Sequence, residues 1–365
     1  MKHGKILTDQ AIPPGEHLKE ILEYKGITQK ELAKRIGRPE KTISGIATGK
    51  VAITPDTAIE LERVLGVSAK FWLNLEADYQ LTKAHIKELD RLREDVPKLA
   101  NFPIPDMIKR ELIEPYIDKV FELRGLLEFL KIPSLDLIQA QPDYQAVYRS
   151  GSGGPNPEVV AVWLREGQIK AENMELPELD KEAIENFIPE IRSMTLHNPE
   201  EWEKKLRDSL ASAGLGLILV KEYPRGGVNG AYYRLDNGHF IQINLKGKWA
   251  DIFWFTLFHE LGHALLHTQE DIIVDYDGDA GQKEEEANDF AYNTLIPPDA
   301  YQAFISSKER NDKGYLVIST QDLKQFANEI GVNTGIVSGR LHHDEVIDPK
   351  NFNKKEVRPK FNWAN

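Results

Sequence analysis

The chain has 365 residues, of which 41% are hydrophobic and 28% charged, with a formal net charge of −12 and no cysteine. This length exceeds what one hydrophobic core usually serves, so two or three domains are expected. Without cysteine there are no disulfides or thiolate metal sites, any metal must be held by His, Asp or Glu, and a reducing, cytoplasmic setting fits.

The N-terminal stretch MKHGKILTDQAIPPGEH lacks the apolar centre of a signal peptide. The strongest apolar runs, IFWFTLF and GLGLILV, are far too short to span a bilayer, so no membrane partner is expected. Charge is unevenly spread. Residues 1–80 carry 12 Lys/Arg against 11 Asp/Glu, and within 25–50 the balance is 7 against 2. That local basic patch is the electrostatic footprint suited to phosphate contacts.

Residues 16–80 read as five short helices: EHLKEILEYKG, TQKELAKRIG, PEKTISGIATGK, TPDTAIELERVLG and SAKFWLNLEADYQ. Thr28 and Thr54 stand at N-cap positions, Glu31 is placed to complete a capping box, Pro55 opens a helix, and Gly26, Gly37 and Gly66 fall at C-caps. A separate charged helix, TKAHIKELDRLRED, then a helical stretch to about residue 140 follow. RSGSGGPNPEV, 149–159, reads as a linker, and without a Lys-Ser/Thr pair after its glycines it is no phosphate loop.

Beyond it, helical zones at PEVVAVWLREGQIKAENM and PEEWEKKLRDSLASAG give way to LGLILV, GAYYRL and GHFIQINL, with PRGG and DNG turns between them. Short runs rich in Val, Ile, Tyr and Phe between such turns imply a small antiparallel sheet joined by hairpins. Helices follow around 250–268 and 283–296. The expected fold class is therefore mainly α with a small antiparallel β-sheet, α+β, divided as 1–82, a helical connection 83–150, and 151–365.

FWFTLFHELGHALLH, 253–267, places His259 and His263 four residues apart on a helix, with Glu260 between. Positions four apart differ by only about 40° around the helix, so both imidazoles can reach one ion. This is HExxH, in which two histidines bind Zn²⁺ and the glutamate activates a water. A catalytic zinc usually takes a third protein ligand. KEEEANDFAYNTLIPP supplies candidates: Glu284 shares a helical stripe with Ala287, Asn288 and Ala291, Glu285 lies on the solvent side, and Glu286 competes, spacing alone not deciding. His267 is rotated by about 80° from His259 and reads as a supporting or surface residue. The strand GHFIQINL could pair with an extended substrate. DYDGDAG, 275–281, resembles a calcium loop but has Ala280 where the glycine belongs, and reads as a solvated turn. His342 and His343 read as a polar helix end.

FWFTLFHELGHALLH with EEEANDFAYNTLIP resembles the ImmA/IrrE family of metallo-endopeptidases, as do the flanking AVWLREG, FIQINLKGKWADIF and FANEIGVNTGIVSGRLHH. The resemblance implies a zincin-like metallopeptidase domain. It also selects Glu284, four residues before Asn288, as third ligand. The implied substrate is a repressor or antitoxin-like protein, either another chain or this same chain. Residues 11–81 resemble the Xre-type helix-turn-helix, above all that of HigA-like antitoxins, through PGEHLKEILEYKGITQKELAKRIG, TISGIATGK and ITPDTAIELERVLGVSAKFWLNLEADY. That implies an all-α, five-helix DNA-binding domain with operator DNA as partner, a homodimer, and a toxin as a further partner. The second helix of the motif would present Lys41, Thr42 and Ser44 to the bases, with Gln29 and Lys50 on phosphates. Arg38 departs from the pattern, occupying a turn position usually small and apolar, and Glu40 would face a phosphate. The expected activity is zinc-dependent endopeptidase action joined to transcriptional regulation. The alternative is a HigA-like repressor whose zinc is structural or senses a signal.

Overall fold

The computed structural model describes residues 10–140, 156–244, 249–269, 272–276, 281–352 and 356–361. The expected linker lies outside these up to residue 155, and the acidic stretch 275–281 lies partly outside them. Packing divides the chain into two compact units, Met1–Leu99 with Ile113–Leu126 and Ala100–Leu112 with Leu127–Asn365.

The first unit opens with α1 (Pro14–Lys25), α2 (Gln29–Ile36), α3 (Glu40–Ala47), α4 (Pro55–Leu65) and α5 (Ala69–Asp95). Thr28 and Thr54 accept from the backbone N–H groups of Glu31 and Thr57, and Gly26, Gly37 and Gly66 adopt the left-handed conformation that ends helices. The Glu31 carboxylate bonds Arg35, one turn on, where a full capping box was expected. The core is formed by Leu18, Leu32, Ile43, Ile46, Leu61 and Trp72. α5 runs through the point where a new charged helix was expected to start. Neither Gly nor Pro interrupts it there, and the Thr82 hydroxyl donates to the Asp78 carbonyl at 2.7 Å, a bond made within the helix.

The connecting region supplies α6 (Ile104–Lys109) and α7 (Lys119–Leu130). In the second unit come α8 (Pro157–Ala171), α9 (Lys181–Ser193), α10 (Pro199–Ser212), β1 (Leu215–Val220), β2 (Val228–Leu235), β3 (Gly238–Asn244), α11 (Ala250–Leu266), β4 (Ile272–Tyr276), α12 (Gln282–Leu295), α13 (Pro298–Ser306), α14 (Thr320–Ile330) and α15 (Thr334–His343).

The sheet has four strands in the order β1-β3-β2-β4 and is mixed, which corrects the expectation of a purely antiparallel one. The Asp236-Asn237 turn makes the expected hairpin of β2 and β3, but β3 folds into the gap between β2 and β1 and so runs parallel to β1. The loop from β1 to β2 can leave this gap because a few residues easily span two strand spacings, about 10 Å. β3 is paired on both sides and has no edge for a substrate strand; β4, unforeseen in the sequence, is an edge strand on β2.

Both faces of the sheet are covered. Tyr232, Ile241 and Ile243 join the core around α11, while Gln242 donates to the Trp163 carbonyl of α8 on the other face. α11 is buried over nearly its whole length. Trp254 packs 4.7 Å from Trp202, ring centre to ring centre, and Leu257, Phe258, Leu261 and Ala264 complete the centre of the unit. Among the described residues no helix is long and apolar enough to cross a membrane.

Candidate metal centre

α11 and α12 pack closely at Gly262. A Cβ there would lie 3.1 Å from the Ala287 Cα, so the glycine is what admits the second helix. This contact brings Glu284 opposite the two histidines. The Nε2 atoms of His259 and His263 are 3.0 Å apart, and the Glu284 carboxylate lies 3.1 Å from the first and 3.4 Å from the second. All three side chains are buried, and among the described residues theirs is the cluster whose donor atoms could hold one ion.

Hydrogen bonds behind the imidazoles decide what they present. Nδ1 of His259 lies 3.0 Å from Asn288 Oδ1, an acceptor, so that nitrogen donates and leaves Nε2 bare. Nε2 of His267 lies 2.9 Å from the Glu286 carboxylate and donates to it, so His267 Nδ1 accepts from His263 Nδ1 at 2.9 Å. His263 Nε2 is thereby bare too. Two lone pairs and a carboxylate at 3.0–3.4 Å repel one another unless a cation or a proton sits among them.

Burial lowers the pKa of His263 below its ordinary value, against the pull of Glu284, and so favours the neutral imidazole. Burial alone would raise the Glu284 carboxyl, but its place beside the two histidines carries it down to about 2, so it stands as the carboxylate. The donor set thus suits a divalent cation.

Glu260 is fully buried on α11 and faces β2. A Cβ at Gly230 would fall 2.1 Å from its Oε1, so any side chain there would displace the carboxylate. Glu286 stands outside the cluster as the partner of His267, and Glu285 is exposed. His343 packs at a tilt against Tyr292 with ring centres 4.7 Å apart, and His342 bonds the Ser338 carbonyl; neither joins the cluster. The chain from His263 through His267 to Glu286 was not read from the sequence, although the i, i+4 spacing of the three histidines was its visible trace. Gly230 gave no comparable signal, because the contact it permits joins strand to helix across the fold.

In the first unit Lys41, Ser44 and Lys50 are exposed and Gln29 and Thr42 half-buried, with Lys41, Thr42 and Ser44 on α3 and Gln29 opening α2. Glu40 is exposed at the first position of α3. Arg38, the departure noted above, is held by both oxygens of Glu60 on α4, at 2.9 and 3.1 Å. This pairing explains how a long cation is accommodated in that turn.

A family model described as helix-turn-helix matches residues 5–72, and a peptidase-family model described as IrrE N-terminal-like domain matches residues 218–342. The chain is 36% identical over 81 residues to the uncharacterized HTH-type transcriptional regulator YddM of Escherichia coli, covering 22% of this chain and 86% of that protein. It is 44% identical over 63 residues to antitoxin HigA-1 of Vibrio cholerae, covering 17% of this chain and 59% of that one. A solved structure of Pseudomonas aeruginosa antitoxin HigA with the higBA promoter is 31% identical, covers 23% of this chain and 94% of its own, and has a TM-score of 0.22. The chain belongs to the Xre-type helix-turn-helix family through its N-terminal part, with HigA-like relatives, and its C-terminal part carries a domain that matches the IrrE-like peptidase model.

Proposed function

We propose that this chain is a DNA-binding transcriptional regulator fused to a zinc-dependent endopeptidase that hydrolyses a peptide bond in a repressor or antitoxin-like protein, this chain included. The observation that carries the reading is the convergence of two imidazole nitrogens and a carboxylate on one point in a buried site beside Glu260. His259, His263 and Glu284 would hold Zn²⁺, and the bound ion supplies a Lewis acid that acidifies water toward neutrality and polarises a carbonyl. Asn288 and the His267–Glu286 pair keep the imidazoles in the required tautomer. Glu260 takes the proton of the attacking water and returns it to the leaving amine. It is fully buried beside Gly230.

Elemental mass spectrometry of the purified protein tests the metal. Wild type is expected to carry about one zinc per chain, His263→Ala and Glu284→Ala none, and Asn288→Ala to bind zinc about 10- to 100-fold more weakly. Wild type that stays metal-free in excess zinc overturns the reading.

For the first unit, the expected readers are Lys41, Thr42 and Ser44, with Gln29 and Lys50 on phosphates. The HigA relatives support operator DNA as the ligand. With DNA selected from a random pool, Lys50→Ala is expected to lower the salt dependence of binding by about one phosphate contact and Lys41→Ala to relax base preference; unchanged salt slope and preference would remove these assignments. A repressor that never cleaves would show the same DNA binding, and cleavage assays separate the two.

A further inference from the structure

A cavity of about 280 Å³ adjoins the candidate metal centre within the second unit. Its walls include Ile252, Phe255, Thr256, Tyr292, Ile336 and Gly339. Three connections tie it to the site. Phe255, one turn before His259, lies 6.1 Å from that ring, centre to centre. Thr256, one turn before Glu260, meets the same point of β2, Gly230, that the Glu260 carboxylate meets. Tyr292 continues the α12 stripe of Glu284 and Asn288 at the next turn.

The cavity is lined mostly by carbon, and the charges at its wall are already matched. Arg358 bonds Asp251 at 2.8 Å, while Arg340 bonds Asp344 at 2.8 Å and lies over the Tyr292 ring. A charged group entering it would lose water and find no unmatched counter-charge. The volume is large against the roughly 150 Å³ that accommodates benzene in a dry protein cavity, so a bulky aliphatic or aromatic side chain fits.

We propose that this cavity receives a large apolar side chain of the protein substrate next to the scissile bond, and so sets the choice of cleavage site. The proposal rests on the peptidase reading above. Binding of amino-acid hydroxamates to the zinc-loaded full chain, followed by calorimetry, tests it without any turnover. Each probe places the same zinc-binding group at the centre and differs only in side chain.

Phenylalanine and leucine hydroxamates are expected to bind at least about 10-fold more tightly than glycine hydroxamate, with aspartate and lysine hydroxamates no better than glycine. A Cβ at Gly339 would make only ordinary contact, 3.4 Å from Asp251. Gly339→Phe, its fold checked by circular dichroism, should fill the cavity and bring the phenylalanine-to-glycine ratio toward one. Ile336→Ala, which enlarges the cavity, should shift preference toward tryptophan hydroxamate.

Equal binding of all side chains, preference for a charged one, or a phenylalanine preference that survives Gly339→Phe overturns the proposal while leaving the metal reading intact. Failure of every hydroxamate, glycine included, overturns both.

Discussion

Glu260→Gln is expected to lower cleavage of the protein substrate about 10²- to 10⁴-fold while leaving about one zinc per chain, because the exchange removes a proton acceptor and nothing else. Glutamine has nearly the shape of glutamate, so the tight space against Gly230 and Thr256 is still filled. The carboxylate also stands apart from the three side chains that form the donor cluster. The check is a single preparation assayed twice, for zinc by mass spectrometry and for cleavage by electrophoresis of the substrate. Full cleavage by the variant would remove Glu260 as the base; loss of zinc would place it among the ligands instead.

Trp254→Ala is expected to have the largest effect on stability, about 3–5 kcal/mol. Trp254 is fully buried in the first half of α11, with Trp202 and Phe361 at 4.7 and 6.3 Å between ring centres. These neighbours, on α10 and in residues 356–361, cannot both collapse into the space it leaves. For a unit of this size each kcal/mol moves the midpoint by roughly 2–4 °C, so calorimetry should show the second unit melting about 10 °C lower. A shift of a degree or two would mean that the packing around this helix is looser than its burial indicates.

Features that depend on neighbours in sequence were readable in advance. Thr28, Thr54, Gly26, Gly37 and Gly66 cap helices where their types and spacing put them, since a cap is completed within a turn or two. The face of α12 that turns inward followed from periodicity, which put Glu284 on it, while the choice of Glu284 over Glu286 came only with the family resemblance. Features that depend on distant partners were not readable. The insertion of β3 between β1 and β2 is decided by long-range pairing, and the five residues of β4 carry too little alternation to declare a strand. Arg38 looked misplaced until Glu60, 22 residues on, supplied its partner. His267, read from its angle to His259 as a supporting or surface residue, is buried and supports His263, its own i−4 neighbour, from the side away from the cluster; its partner Glu286 was not foreseen.

The histidines stand on the most deeply packed helix of their unit, and that placement separates the chemistry from the scaffold. In small zinc modules the ion substitutes for a core, and its removal unfolds the chain. Here Trp254, Leu257, Phe258 and Leu261 hold α11 in place irrespective of any ion. Stripping the metal should therefore silence the site while the protein persists at its usual level. On the peptidase reading proposed above, a cell short of zinc would keep the regulator's body and lose only its cutting edge.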